Sequence, residues 1–412
     1  MFEFMDMDFY EPCKQGVSEP YIPDALECQR CGLCISSCPT FRLFQTDEET
    51  PRGRLRSISK ILVDNVPINA EERLHLDNCL QCRACETVCP SRVAYGDLFD
   101  KAQAQSKTVP SRLAKLAFCL IENKRWRSRL MPLLTVYLKS GLQNFVRRSG
   151  FLKMLRLADA EALVAKPALQ ALAECYPIHG AIRGRVALFT GCIAEHFDRE
   201  TLVAAIKLLN AIGFEVQVPP QQGCCGAIHQ HNGQSAESLI NNNIKTFNAL
   251  DVDAVLFAAS GCGAMLSEYH RHDGEAAQLF QQRLHDLNDF LLKHWPEDLQ
   301  LKASRLKVAV HEPCSQRNVL KNQQTIYALL QKIPGLNVVA LPDNNICCGA
   351  GGSYMLTHPD HAAQLKALKQ IIIVATLADV VVSSNFGCAV FLNADGGKIE
   401  HPLVLLARYL NE

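Results

Sequence analysis

The stretch Cys28-Gln-Arg-Cys31-Gly-Leu-Cys34-Ile-Ser-Ser-Cys38-Pro39 returns as Cys79-Leu-Gln-Cys82-Arg-Ala-Cys85-Glu-Thr-Val-Cys89-Pro90. Both copies read C-x2-C-x2-C-x3-C-P. Three thiolates spaced by two residues wrap three irons of a [4Fe–4S] cube from one turn of chain, and the fourth lies too far along the same segment and serves the other cluster. The spacing therefore predicts one cluster on Cys28, Cys31, Cys34 and Cys89, and a second on Cys79, Cys82, Cys85 and Cys38. A pair of zinc sites is the competing reading. Zinc takes two C-x2-C pairs per site and has no use for the third cysteine or the closing Cys-Pro.

Forty residues separate Cys38 from Cys79, too many for a compact β-type module. They contain Pro51-Arg-Gly-Arg54, then Leu55, Ile58, Ile61 and Leu62 at helical spacing. The segment resembles the α-helical ferredoxin modules of quinone-linked dehydrogenases. Arg52 and Arg54 have two readings here: cations that screen the anionic clusters, or a solvated helix start.

Composition narrows the class. The chain has 412 residues, 42 basic and 42 acidic side chains, 48% hydrophobic residues and 19 cysteines. That length suits two or three domains. Zero net charge argues against a nucleic-acid binder. No apolar run reaches the roughly 18 residues that span a bilayer. The acidic start, MFEFMDMDFYE, lacks a signal peptide's basic and apolar regions, so a cytoplasmic location is expected. Disulfides are disfavoured there, which leaves metal to explain the cysteines.

The second half is duplicated. Val186-Ala-Leu-Phe-Thr-Gly-Cys192 matches Val308-Ala-Val-His-Glu-Pro-Cys314, Cys224-Cys-Gly226 matches Cys347-Cys-Gly349, and Cys262 matches Cys388, at offsets of 122, 123 and 126 residues. Each copy alternates strand and helix. Strands are predicted at Val186–Thr190, Phe214–Val218 and Ala254–Ala259, then at Val308–Val310, Val338–Leu341 and Asp379–Ser383. Such alternation implies parallel sheets covered by helices, with every cysteine landmark at a strand's carboxyl edge. The fold class expected is multidomain α+β: a helical ferredoxin domain over 1–105, a basic helical linker over 106–182, and α/β repeats over 183–300 and 301–412.

The repeats read C-x31-CCG-x35-C and C-x32-CCG-x38-C. They resemble the cysteine-rich CCG domains of heterodisulfide reductases and their relatives, some of which bind an unusual [4Fe–4S] cluster. The fuller family pattern ends in C-x2-C. Here Ala259 and Met265 flank Cys262, and Asn385 and Phe391 flank Cys388, so each site has four cysteines. Cys192, Cys224, Cys225 and Cys262, with Cys314, Cys347, Cys348 and Cys388, are candidates for a further cluster, for zinc, or for reduced thiols beside a substrate. His229, His231, His311 and His358 lie near these motifs in sequence, and a single histidine is more often packed or solvated than a ligand.

Taken end to end, the chain resembles the iron–sulfur subunits of bacterial glycolate oxidases. The likeness rests on the two cysteine runs, Pro51-Arg-Gly-Arg54, Gly223-Cys-Cys-Gly-Ala227, Ala259-Ser-Gly-Cys-Gly263 and Thr357-His-Pro-Asp360. Iron–sulfur subunits of lactate and glycerol-3-phosphate dehydrogenases are close relatives, and a heterodisulfide-reductase-like catalytic subunit is a further alternative. The resemblance implies that flavin-bearing partner subunits oxidise glycolate or lactate, while this chain carries electrons towards membrane quinone. No flavin fingerprint is present, and the Gly349-Ala-Gly-Gly352 cluster lacks dinucleotide-binding spacing.

Between Arg112 and Arg156 eleven Lys and Arg oppose only Glu122, interleaved with Leu116, Phe118, Trp126, Leu133 and Tyr137. Basic amphipathic helices of this kind lie on anionic lipid or dock a partner, whereas a plain linker would bury its apolar face on the body. With the family likeness, this places the expected chain at the inner face of the cell membrane.

Overall fold

The computed structural model describes residues 31–106, 111–154, 157–178, 180–272, 274–394 and 396–411. Cys13, Cys28 and the acidic extension lie outside the described residues. Among the described residues, six helices build the first domain: Leu33–Ser37, Pro39–Phe44, Pro51–Leu62, Ala70–Asp77, Ala84–Thr87 and Tyr95–Gln105. The third opens with Pro51 at its first turn, and Thr50 Oγ1 caps it by accepting the Gly53 N–H at 2.9 Å. Gly53 is required there, because a Cβ would stand 2.3 Å from the Asp47 carbonyl oxygen. The helical stripe of Leu55, Ile58 and Ile61 meets Leu76, Leu98 and Phe99 in a small core. Each fully buried side chain of this size contributes about 1.5–3 kcal/mol.

The duplication is visible in topology. The first repeat forms β1 (Cys175–Tyr176), β2 (Gly184–Phe189), β3 (Phe214–Gln217), β4 (Ala254–Phe257) and β5 (Leu284–Asp286), in sheet order β1-β3-β2-β4-β5. The second forms β6 (Lys307–His311), β7 (Asn337–Ala340), β8 (Val380–Ser383) and β9 (Ile399–Glu400), in order β7-β6-β8-β9. The β3-β2-β4-β5 order thus recurs. All pairings are parallel except the edge strand β1, which runs antiparallel to β3. The central strands β2, β4, β6 and β8 are short apolar runs buried on both faces along most of their length, as parallel strands between helices are. The antiparallel β1, and the strands β5 and β9, are too brief to show periodicity in the sequence.

One core spans both repeats. Val186, Leu188 and Leu256 of the first sheet, and Val308, Val310 and Val382 of the second, all contribute to it through the helices Arg199–Ala211 and Pro402–Arg408 between them. The opposite sheet faces build two further cores, which include Cys192, Cys224 and Cys225 in one and Cys347, Cys348 and Cys388 in the other. The linker forms helices over Arg112–Glu122, Lys124–Lys139 and Leu142–Arg148. Ile121 packs against the first repeat, and Lys124 pairs with Glu195 at 2.8 Å. Leu133, Val136 and Phe145 remain well exposed.

Candidate functional site

The two ferredoxin runs fold alike. Gly32 and Arg83 occupy the same place, between the second cysteine of each run and the helix that carries the third, and both adopt left-handed backbone, with φ of 75° and 55°. This turn starts each short helix with its thiols on one side. The helices Leu33–Ser37 and Ala84–Thr87 pack together, which interleaves the runs as the crossed ligand pattern requires.

Cys38, Cys79, Cys82 and Cys85 line one small cavity with Arg54 and Tyr95. The Gln81 N–H points at Cys79 Sγ at 3.4 Å, the Tyr95 hydroxyl lies 3.6 Å from it, and Arg54 Nη1 lies 3.7 Å from Cys38 Sγ. Burial pushes the Cys85 thiol up, and the neighbouring Cys82, Cys79 and Cys38 push it further. Four thiols converging on one small cavity fit a site whose charge is supplied by iron. Donors aimed at sulfur are the surroundings that tune such clusters. Of the other set, Cys31 is exposed and Cys34 and Cys89 are partly exposed, while Cys28 lies outside the described residues.

Arg54 is not a solvated helix start. It is 1% exposed. Its guanidinium pairs with Glu49 and donates to the His75 carbonyl at 2.6 Å and the Glu49 carbonyl at 2.8 Å. Burial alone would lower its pKa, but the Cys79 thiol, Tyr95, Cys38 and Glu49 more than reverse that and hold it firmly charged. Arg52 is the bland one, pairing with Asp47 at 3.3 Å near the surface.

The eight CCG cysteines share one chamber. A cavity of about 270 Å3 is lined by Cys192, Cys224, Cys225 and Cys262 of the first repeat and Cys314, Cys347, Cys348 and Cys388 of the second. Each cysteine follows a strand. Cys192 and Cys262 leave β2 and β4, and Cys314 and Cys388 leave β6 and β8. In both sheets these strand pairs mark the point where the chain order reverses, the crevice in which open α/β sheets hold ligands. In both repeats the glycine after the cysteine pair aims its N–H at the first thiol, at 3.4 Å from Gly226 to Cys224 and 3.4 Å from Gly349 to Cys347. The repeats meet through the Ser260 N–H, which donates to the Ser384 carbonyl at 2.9 Å, and through the paired hydroxyls of Ser260 and Ser315 at 2.9 Å. A π-helix, Ser315–Leu320, begins beside Cys314, a distortion often found at functional sites.

The ferredoxin domain closes this chamber, a contact that sequence spacing cannot show. Its loop Leu80–Arg83 lines the cavity. Asn318 donates to the Cys82 carbonyl at 2.7 Å, and Gln81 donates to the His231 carbonyl at 2.9 Å. Arg83 pairs with Glu268, and Arg271 with Asp97 at 3.4 Å. Burial first, then the nearby Cys347, pushes the Cys82 thiol up, so this ferredoxin thiol sits beside the second repeat's site.

The histidines separate. His311 joins Cys348 and Cys388, with ligating atoms within 4.8 Å of one another. His231 lines the chamber, and burial holds it neutral, with a pKa near 4. His229 instead meets Glu122 at 2.8 Å and packs its ring at a tilt against Phe118, and His358 stacks on Tyr354. Cys119 and Cys175 are exposed, away from both thiol groups.

With that geometry in place, the comparisons decide the family. Residues 24–93 match the 4Fe-4S dicluster domain, 110–164 match the linker region of glycolate oxidase iron–sulfur subunits, and 186–267 and 308–393 each match the cysteine-rich domain. The chain is 34% identical over 391 residues to the probable glycolate oxidase iron–sulfur subunit of Bacillus subtilis (strain 168), covering 89% of this chain and 87% of that one. The chain belongs to the glycolate oxidase iron–sulfur subunit family. The Escherichia coli (strain K12) glycolate oxidase iron–sulfur subunit is 30% identical over 386 residues, covering 90% of each chain. More distantly, lactate utilization protein A of Shouchella clausii (strain KSM-K16) is 28% identical over 224 residues, which is 52% of this chain and 91% of that one. A glycolate oxidase iron–sulfur subunit is part of an oxidoreductase complex, and the ferredoxin module and CCG repeats give this one an iron–sulfur electron-transfer role. Among the described residues no helix is long and apolar enough to cross a membrane.

Proposed function

We propose that this chain is the electron-transfer subunit of a membrane-associated glycolate oxidase. In this reading flavin-bearing partner subunits oxidise glycolate to glyoxylate, and the electrons leave through this chain towards quinone. Cys28, Cys31, Cys34 and Cys89 would hold one [4Fe–4S] cluster, and Cys79, Cys82, Cys85 and Cys38 the other. When bound, these clusters supply one-electron redox chemistry that no side chain here provides.

The observation that carries the proposal is the graded burial of the two cysteine sets. One set is open to an electron donor at the surface, with Cys31 exposed. The other has Cys38 buried with Cys79, Cys82 and Cys85 partly buried around it, is backed by Arg54, and sits through Cys82 against the CCG chamber. The residues that hold this order are Arg83, Glu268, Gln81 and Asn318. The eight chamber cysteines are candidates for a further cluster or metal beyond the ferredoxin pair. A catalytic reductase working alone is the weaker reading, since each CCG site lacks its fifth cysteine.

Membrane association is assigned to the linker. Trp126, Leu133, Val136 and Phe145 are exposed together with Arg125, Arg129, Lys139 and Arg148. Apolar side chains amid cations suit an anionic lipid surface. The function is tested by mixing the anaerobic chain with its flavin subunits and adding glycolate, lactate or glycerol 3-phosphate. Electron paramagnetic resonance should show reduction of this chain with glycolate. Reduction by only one of the other two substrates would reassign the complex, and reduction of disulfides without flavin subunits would overturn the electron-relay role.

A further inference from the structure

Beside the cysteine chamber lies a second cavity, which the relay of electrons described so far does not use. Its volume is about 300 Å3, at the small end of ligand sites, and it lies where the ferredoxin domain, the linker and the repeats meet. The ferredoxin domain supplies Leu74, Cys79 and Gln103 to its wall. The linker helix Arg112–Glu122 supplies Ala114 and Phe118, and the second repeat supplies Tyr354 and His358.

The wall suits a flat, mostly apolar molecule. Leu74 and Phe118 offer apolar surface, and the Tyr354 and His358 rings stack at 4.5 Å with 16° between their planes. Two hydrogen-bond donors in this wall are left over. Gln103 is 3% exposed, and its Oε1 accepts from Arg73 Nη2 at 2.6 Å. That contact fixes the amide and leaves its N–H groups without an acceptor among the described residues. His358 Nδ1 lies 2.9 Å from Thr357 Oγ1, and Nε2 has no partner among the described residues. A buried donor without an acceptor is costly, and a ligand carbonyl removes that cost.

Position gives the ligand its chemistry. Cys79 lines the cavity, so whatever binds there abuts a cysteine assigned to a cluster. The way in is apolar: Leu74 is 54% exposed, and so is Leu116, at 56%, on the helix that carries Phe118. The next linker helix, Lys124–Lys139, exposes Trp126 and Leu133, the side chains suited to a lipid surface. A flat, lipid-soluble electron acceptor with two carbonyls meets each of these conditions, and that description is a quinone.

We infer that this cavity binds a quinone head group, with Gln103 and His358 donating to its two carbonyl oxygens. The inference rests on the electron-relay reading and deepens it by giving the acceptor a site. Glycolate gives up two electrons and two protons at the flavin subunits. The quinone takes two electrons on the Cys79 side and two protons from water, and leaves as quinol.

The test uses the full chain purified without oxygen and a photoreactive azidoquinone as the probe. Labelling should fall around Gln103, Phe118 and His358, and decylubiquinone should compete for it. Ala114→Trp, which fills the cavity from the linker side, should abolish it. Gln103→Glu keeps the Arg73 contact and His358→Phe keeps the stack on Tyr354. Each should weaken decylubiquinone binding roughly ten-fold, as the loss of one buried hydrogen bond does. In the complex with its flavin subunits, all three should raise KM for decylubiquinone while glycolate still reduces this chain, read by electron paramagnetic resonance. Labelling elsewhere, or native affinity in the variants, would overturn the inference. If Ala114→Trp does not fold, the other two variants decide. Labelling at this cavity in a chain that glycolate fails to reduce would count against the electron-relay reading and leave the binding site standing.

Discussion

Replacing Arg54 with methionine removes a cation from the wall of the enclosed ferredoxin site. Methionine keeps the unbranched apolar stem but stops short of the guanidinium, leaving a small void where the charge was. Two consequences follow. Arg54 is 1% exposed and Glu49, its ion-pair partner, 3% exposed, so the carboxylate is left buried with only Asn78 and His75 beside it. Removing one member of a buried pair costs about 3–5 kcal/mol. The second consequence is electrical. Arg54 Nη1 lies 3.7 Å from Cys38 Sγ. A unit charge about 6 Å from the redox centre, at an effective dielectric of about 20, is worth roughly 3 kcal/mol. For a one-electron couple, where about 1.4 kcal/mol corresponds to 59 mV, that is on the order of 100 mV. The cluster held with Cys38 should fall in potential by that amount, while its partner near exposed Cys31 shifts far less. Redox titration followed by electron paramagnetic resonance measures both, and denaturant unfolding measures the cost to the fold. The double variant Arg54→Met with Glu49→Gln should recover most of the stability, since no charge is then stranded. A folded Arg54→Met protein with unchanged potentials, or with both potentials shifted equally, would refute the placement of Arg54.

Arg83→Gln should loosen the ferredoxin domain from the CCG chamber at a cost of about 1–3 kcal/mol, because Glu268 and Asp100 lose their shared cation. Hydrogen exchange would read this as faster labelling of the 80–83 loop, with the CCG sheets unchanged. Replacing Trp126, Leu133 and Phe145 by serine should cut binding to anionic vesicles several-fold at low salt, and raising the salt should weaken the native chain's binding as well. Sedimentation of vesicles carrying the whole complex checks both. His401 gives a pH dependence. Its Nδ1 accepts the Leu403 N–H at 3.1 Å and its Nε2 meets the Ala258 carbonyl at 3.1 Å, a neutral ring satisfied on both sides. Burial lowers its pKa from 6.5 to about 4. A depressed histidine contributes stability that is complete above about pH 6.5 and is lost as the pH falls towards 4, by up to about 3 kcal/mol. His401→Asn should flatten the difference in unfolding free energy across that window.

Much of the fold is legible in the sequence because the central parallel strands are buried on both faces, and their outer neighbours, though partly exposed, are still short β-branched or apolar runs. Val186, Phe214, Ala254, Val308, Val338 and Val380 all fall in strands where such runs predict them. The helix from Pro51 is legible for a different reason: a proline start and apolar residues three and four apart. What escapes is three-dimensional. Charged side chains are normally solvated, so the sequence could offer Arg54 as a screening cation or a solvated helix start but could not choose its burial beside Cys38. Leu80, Gln81 and Arg83 read as spacers around the ligand Cys82, yet they close the chamber. Lys369 sits in an apolar helix with no local signal of its burial. His311 looks like a stray histidine until strand register sets it opposite Ser383. The duplication did hold that information, since Phe189 and Phe257 are its counterparts at the same offsets as the cysteines.

In the proposed electron relay, the N-terminal cysteines carry two [4Fe–4S] clusters. Iron and acid-labile sulfide in the full chain, purified without oxygen, test it most directly. At least about eight irons and eight sulfides per chain are expected, with about four of each lost on Cys82→Ser. Zinc in place of iron at these cysteines, or about four irons or fewer in the native chain, would contradict it.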